Sequence, residues 1–192
     1  MDKLATRSIE ELKKRAKDGD LHALQELRDQ GFFENRKPAL DGFAVSNAQK
    51  QLWVIDQMLG GKTPVYNMPG SLLLEGPLDV PVLEEALGEI VRRHESLRTT
   101  FFRVDGELRQ KVHEAVDFAV ERIDLRTHER PDEAARHRGR KHAAEPFDIE
   151  RGPLFRAALL HLDGPDLGSH DPPDDGRYVL LYNLHHIICD EW

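Results

Sequence analysis

Apolar positions along the chain change their spacing several times, and each change marks an element. Near the N-terminus Ile9, Leu12 and Ala16 recur at helical spacing until Asp18-Gly19 interrupts them. Asp20 is placed to cap a second helix carrying Leu21, Leu24 and Leu27, with Gly31 as its stop. Two stripes this narrow cannot close a core alone, so residues 1–40 are expected to pack on the following domain or on another protein. Phe32-Phe33 and the polar ENRKP run read as a linker. The main domain begins at Phe43. Ser46 and Gln49 have capping-box spacing and open a helix with Leu52, Ile55 and Leu59 on one face, Trp53 also being expected in the core. Gly60-Gly61 closes it, and residues 71–75 (SLLLE) read as a strand. Asp79 then caps the clearest helix, whose Leu83, Ala86, Leu87, Ile90, Val91 and His94 keep a 3.6-residue period, so His94 is read as part of the buried stripe.

Beyond that helix the period drops to two. Thr100 to Val104, an Asp105-Gly106 turn and Leu108 to Val112 predict a hairpin, and residues 117–123 a further strand. Residues 131–145 predict a polar helix. Leu154 to Leu162 and Arg177 to Leu184 are apolar throughout and read as neighbours at the centre of a sheet. The run 163–176 between them, acidic and rich in Pro and Gly, is expected to be an exposed loop. This order predicts an α/β (α+β sandwich) architecture, a mixed, largely antiparallel sheet flanked by helices. The chain stops at Asp190-Glu191-Trp192, just after a buried strand, which reads as a larger domain cut short.

Composition narrows the function classes. The 192 residues suit one medium domain or one lobe of a larger one. A net charge of −8 with no basic stripe argues against nucleic acid, whose phosphates demand clustered cations. No apolar run is long enough for a membrane span, and MDKLATRSIEELKKR lacks a signal peptide's apolar core. A single cysteine, Cys189, excludes an internal disulfide framework and suits a reducing cytoplasm.

The candidate chemistry sits at the C-terminal end, in LLYNLHHIICDEW. His185 and His186 follow an apolar strand directly, where a sheet holds the backbone while a side chain reaches a cleft. Histidine titrates near neutrality and can take a proton from an amine or hydroxyl and return it. Adjacent residues in an extended segment face opposite ways, so only one of the pair is expected in the cleft. On the pattern alone, two hydrogen-bonded structural histidines are an equal alternative. His185, His186, Cys189 and Asp190 are all possible metal ligands, but no second cluster at ligand spacing accompanies them, and no metal is expected.

His185-His186-Ile187-Ile188-Cys189-Asp190 resembles the HHxxxDG signature of condensation domains of non-ribosomal peptide synthetases and their chloramphenicol-acetyltransferase-like relatives. Three further stretches resemble the same family in the same order. Ser46 to Trp53 resembles its opening SxAQxxLW motif. Arg93 to Phe101 matches RHExLRTxF, and Glu145 to Asp148 with Gly152 to Arg156 resembles its PFD…GPLxR stretch. Tyr66-Asn67-Met68-Pro69 and Gly76-Pro77-Leu78-Asp79 also fit, so the resemblance covers residues 43–192.

The resemblance implies one of two α/β lobes set in a V, with the active site in a tunnel between them and the C-terminal lobe absent from this chain. It implies amide-bond formation: the amine of an aminoacyl acceptor attacks a donor thioester, each substrate held on the phosphopantetheine arm of a carrier protein. No cofactor bound by the domain itself is implied. His186, the second histidine, takes the role of general base or amine-positioning group, with His185 beside it. Asp190 becomes a structural carboxylate, which the resemblance pairs with Arg98. Tyr66 and Asn67 are candidates for the substrate channel, and so is Glu191, which stands where the family has glycine. An ester-forming or other carrier-dependent acyltransferase shares the motif. A heterocyclising member has Asp in place of the first histidine, so His185 argues against that reaction. Residues 1–40 are expected to be a docking or linker element toward an upstream synthetase or synthase subunit, with a structural N-terminal extension an equal alternative, and a non-catalytic docking module is the remaining alternative for the chain. Without the second lobe, the isolated chain is expected to be inactive.

Overall fold

The computed structural model describes residues 11–16, 20, 22–23, 26–27, 42–163 and 176–189. It divides into two compact units, Met1–Leu40 and Asp41–Trp192. In the first, residues 11–16 are helical. Asp20 Oδ1 accepts from the amides of His22 (3.0 Å) and Ala23 (3.1 Å), which is the cap its position predicts. Leu12, Ala16, Ala23 and Leu27 pack on one another. Ile9, Leu21, Leu24, Gly31 and the linker at 32–38 lie outside the described residues.

The second unit carries strands β1 (Phe43–Ala44), β2 (Asn67–Glu75), β3 (Thr99–Val104), β4 (Glu107–Val112), β5 (Val120–Asp124), β6 (Phe155–Asp163) and β7 (Arg177–His185). Its helices are α1 (Asn47–Met58), α2 (Val80–Arg93) and α3 (Pro131–Ala144). The strands form two sheets, a three-stranded one in the order β1-β4-β3 and a four-stranded one in the order β2-β7-β6-β5. Among the described strands only β5 and β6 run parallel, and α3 lies in the connection between them, as a parallel pair requires. The mixed, largely antiparallel α/β reading therefore holds, with the hairpin β3–β4 joined by β1 in a separate sheet. Its turn residues Asp105 (φ 51°) and Gly106 (φ 83°) are both left-handed, as a two-residue hairpin turn needs.

Strand β6 is apolar because both of its faces are covered. Phe155, Ala157 and Leu159 enter the main core with Phe101, Leu154, Tyr178 and Leu180. Ala158, Leu160 and Leu162 enter a second core with Leu181 and with Ala135 of α3. Strand β2 begins earlier than SLLLE suggests and contains Pro69, which an edge strand tolerates because its outward N–H is not needed in the ladder. Gly70 lies opposite Tyr182, and a Cβ there would stand 2.0 Å from the tyrosine ring. Gly70→Ala is expected to destabilise the unit by about 1–3 kcal/mol through overpacking, read as a lowered urea midpoint.

Two expectations about burial need correction. Leu52 and Trp53 do pack on the main core, but Ile55 is 39% and Leu59 53% exposed, and buried Asp56 takes the inward place. The reason is tertiary: Gln49 Nε2 donates to Ile187 O (3.3 Å), which turns the 49/52/53/56 face of α1 inward. On α2 the predicted buried stripe is only partly covered: Ile90 is 44% exposed, and His94 is exposed because α2 ends at Arg93 and His94 caps it in extended backbone, off the helical stripe. Residues 164–175, where the exposed loop is expected, lie outside the described residues.

Candidate active site

The two histidines part where strand β7 ends. His185 is its last residue and is fully buried, while His186 opens a 3₁₀ turn (His186–Ile188) and is half-buried. The backbone here is tied on two sides: His185 N donates to Leu154 O (3.0 Å) and His186 N to Tyr66 O (2.9 Å). The adjacent pair thus points into different surroundings, as alternation requires.

His185 is held as a neutral ring. Its Nδ1 accepts the amide of Ile187 (3.1 Å), so its proton sits on Nε2, which has no hydrogen-bond partner among the described residues. The rings of Tyr66 and Phe147 meet it edge-on, at centroid distances of 6.2 Å and 6.1 Å. Burial, and secondarily the charge of His186, push its pKa down to about 4. An unfolded histidine titrates near 6.5. The unfolded chain therefore binds more protons than the folded one below that pH, and stability falls as pH drops from about 6.5 toward about 4. The full depression corresponds to a loss on the order of 3 kcal/mol. A urea-midpoint series across this window should decline in the natural protein and flatten in His185→Gln.

His186 has the opposite disposition. Its Nδ1 lies 2.8 Å from Cys189 O, a carbonyl that can only accept, so Nδ1 carries the proton. The lone pair is left on Nε2, a nitrogen able to accept a proton. Cys189 itself is half-buried against the main core, its Sγ 3.5 Å from Met68 Sδ.

The other predicted residues surround this turn in different ways. Tyr66 contributes its carbonyl to His186 and its ring to His185. Asn67, in register with His185, donates from Nδ2 to the carbonyls of Ala143 and Glu145, both at 2.7 Å, at the end of α3. Arg98 donates to three carbonyls: Val91 (3.2 Å), Glu114 (3.3 Å) and His113. It thereby joins the end of α2 to the segment after β4. Asp190 and Glu191 lie outside the described residues.

Asn183, which the sequence alone does not single out, and Arg156 and Phe147, which it marks only as parts of a motif, complete the surroundings. Buried Asn183 donates to His142 O (3.0 Å), and Arg156, its register partner, donates to His142 O (3.1 Å), Pro146 O (3.4 Å) and Glu145 O. The Arg156 guanidinium lies 4.1 Å from the centroid of Phe147. The sequence does carry signals here: Asn183 is a polar residue inside an apolar strand two positions before His185, and Phe147 and Arg156 fall in the PFD…GPLxR stretch. Among the described residues no three His, Cys, Asp or Glu side chains gather as metal ligands, and no helix is long and apolar enough to cross a membrane.

Comparison with known proteins shows the family. The family model for the condensation domain matches residues 40–192. Chondramide synthase cmdD of Chondromyces crocatus is 42% identical over 158 residues, which is 81% of this chain and 4% of that protein. Tyrocidine synthase 3 of Brevibacillus parabrevis is 38% identical over 148 residues, 77% of this chain and 2% of that protein. Among solved structures, a mutant starter condensation domain of rhizomide synthetase RzmA in complex with C8-CoA and Leu-SNAC superposes with a TM-score of 0.63 at 27% identity, covering 77% of this chain and 31% of that one. The chain thus spans under a third of that solved relative and a few per cent of the curated ones. The match over residues 40–192 includes the strand-end histidine turn, and the chain belongs to the condensation-domain family.

Proposed function

We propose that this chain, as part of a longer synthetase, forms amide bonds in non-ribosomal peptide synthesis. The donor is an acyl or peptidyl thioester and the acceptor an aminoacyl group, each carried on the phosphopantetheine arm of a carrier protein. The acceptor nitrogen attacks the thioester carbonyl carbon, the carbon–sulfur bond breaks, and the proton leaving nitrogen passes through His186 Nε2 to the departing thiolate. The observation that carries this reading is the His186 Nδ1–Cys189 O hydrogen bond, which keeps the Nε2 lone pair available. The RzmA relative solved with C8-CoA and Leu-SNAC supports an acyl donor and an aminoacyl acceptor.

On this reading a second lobe supplies the facing wall of the tunnel, and the 192-residue chain alone makes no product. The reaction runs in the cytoplasm, where synthetases find their carrier proteins. Asp190 is structural, and Asp190→Ala is expected to lower the melting temperature of the intact domain rather than only its rate. Residues 1–40 serve as the docking element for an upstream protein of the same synthetase, so deleting residues 1–36 should weaken binding of that protein. The test of the reaction is an assay of the longer protein with donor- and acceptor-loaded carrier proteins. An amide product that requires both carriers is expected, whereas an ester product or no product would contradict the reading.

A further inference from the structure

Helix α3 ends with its last carbonyl oxygens facing strands β2, β7 and β6, and one side chain from each strand takes them up: Asn67, Asn183 and Arg156. The two asparagines do this as neutral groups. Arg156 is half-buried, its hydrogen bonds go to backbone carbonyls, and burial lowers its pKa. A buried guanidinium carries a desolvation cost that a third neutral cap would avoid. What arginine adds is a flat cationic face, and that face lies on Phe147, 4.1 Å from its centroid.

The contact continues to the histidine turn. Phe147 is buried, and its ring meets His185 at an interplanar angle of 88°. A single hydrogen bond among the described residues, from the amide of Ile187, holds the His185 ring. The rings of Phe147 and Tyr66 also meet it edge-on. The Ile187 amide belongs to the same turn that brings Cys189 O to His186 Nδ1. We infer that Arg156 is a positioning residue for the reaction: clamped on Phe147, it fixes the His185 ring, the 186–188 turn and, through them, the free nitrogen of His186. This inference rests on the reading of His186 as the proton-handling group.

The test uses long-range ¹H–¹⁵N spectra of the histidine rings in the 192-residue chain. Arg156→Lys keeps the charge and loses the plane, and Arg156→Met keeps the stem and loses both. In either folded variant His186 is expected to change from one Nδ1–H tautomer to a mixture. In the full synthetase kcat should fall about tenfold with KM within about twofold, an effect of the size a misplaced catalytic group gives. Phe147→Leu should give the same spectral change, and adding Arg156→Lys to it should change His186 no further. Unaltered His186 signals in Arg156→Lys, or an undiminished Arg156 effect without Phe147, would overturn the inference. A failure of the His186 reading is separable, because it would appear as full activity of His186→Ala whatever the ring spectra show.

Discussion

Replacing His186 with alanine is expected to slow amide formation by the intact synthetase about 10²–10⁴-fold, the range for loss of a positioned general base. The loss should fall on kcat, because the role proposed for His186 is to handle a proton in the transition state. Folding should be little affected: His186 is half-buried, and among the described residues its side chain makes one hydrogen bond, to a carbonyl of its own turn. His186→Gln should not restore the rate, since an amide nitrogen has no lone pair to accept a proton. Single-turnover measurements with loaded carriers, paired with thermal melts, separate this from a folding defect. An unchanged rate would remove His186 from its role.

The largest expected loss of stability lies in a different motif. Phe101 closes the stretch that resembles RHExLRTxF, yet it is fully buried in the main core, with its amide bonded to Ile149 O (3.0 Å). Phe101→Ala should cost about 3–5 kcal/mol, combining lost burial with the cavity left behind. For a unit of this size that is roughly a 10 °C fall in melting temperature. Ile55→Ala, at an apolar residue of α1 exposed to solvent, should stay within about 0.5 kcal/mol. Equal losses in the two variants would mean that the inward face of α1 is wrongly assigned.

Much of this arrangement is legible in the residues. The period of α2, the Asp-Gly turn and the capping box at Ser46 act through local physics, and each stands where its pattern places it. The centre of the sheet is legible because strands buried on both faces admit few polar residues. The face of α1 is not legible, because Leu52 to Ile55 are apolar in succession and two orientations satisfy the helical period equally. The choice falls to Gln49 reaching Ile187, a contact across 138 residues. Burial of His94 failed for a local reason, since a helical stripe cannot announce that the helix stops one residue before it ends. At the site, the separation of His185 from His186 is anticipated by strand alternation, although the strand ends at His185 and His186 already opens a turn. The tautomer of His186 is not, because it depends on where a turn places the carbonyl of Cys189. The clamp of Asn67, Asn183 and Arg156 on α3 is out of reach for the same reason: it joins three strands and a helix end that only the fold brings together.

Everything proposed for the reaction depends on His186 presenting an unprotonated Nε2 because Cys189 O holds the proton on Nδ1. The ¹⁵N shifts of the His186 ring, recorded at a pH where it is neutral, read this directly. A protonated Nδ1 and a lone-pair Nε2 are predicted, and a proton residing on Nε2 would contradict the mechanism.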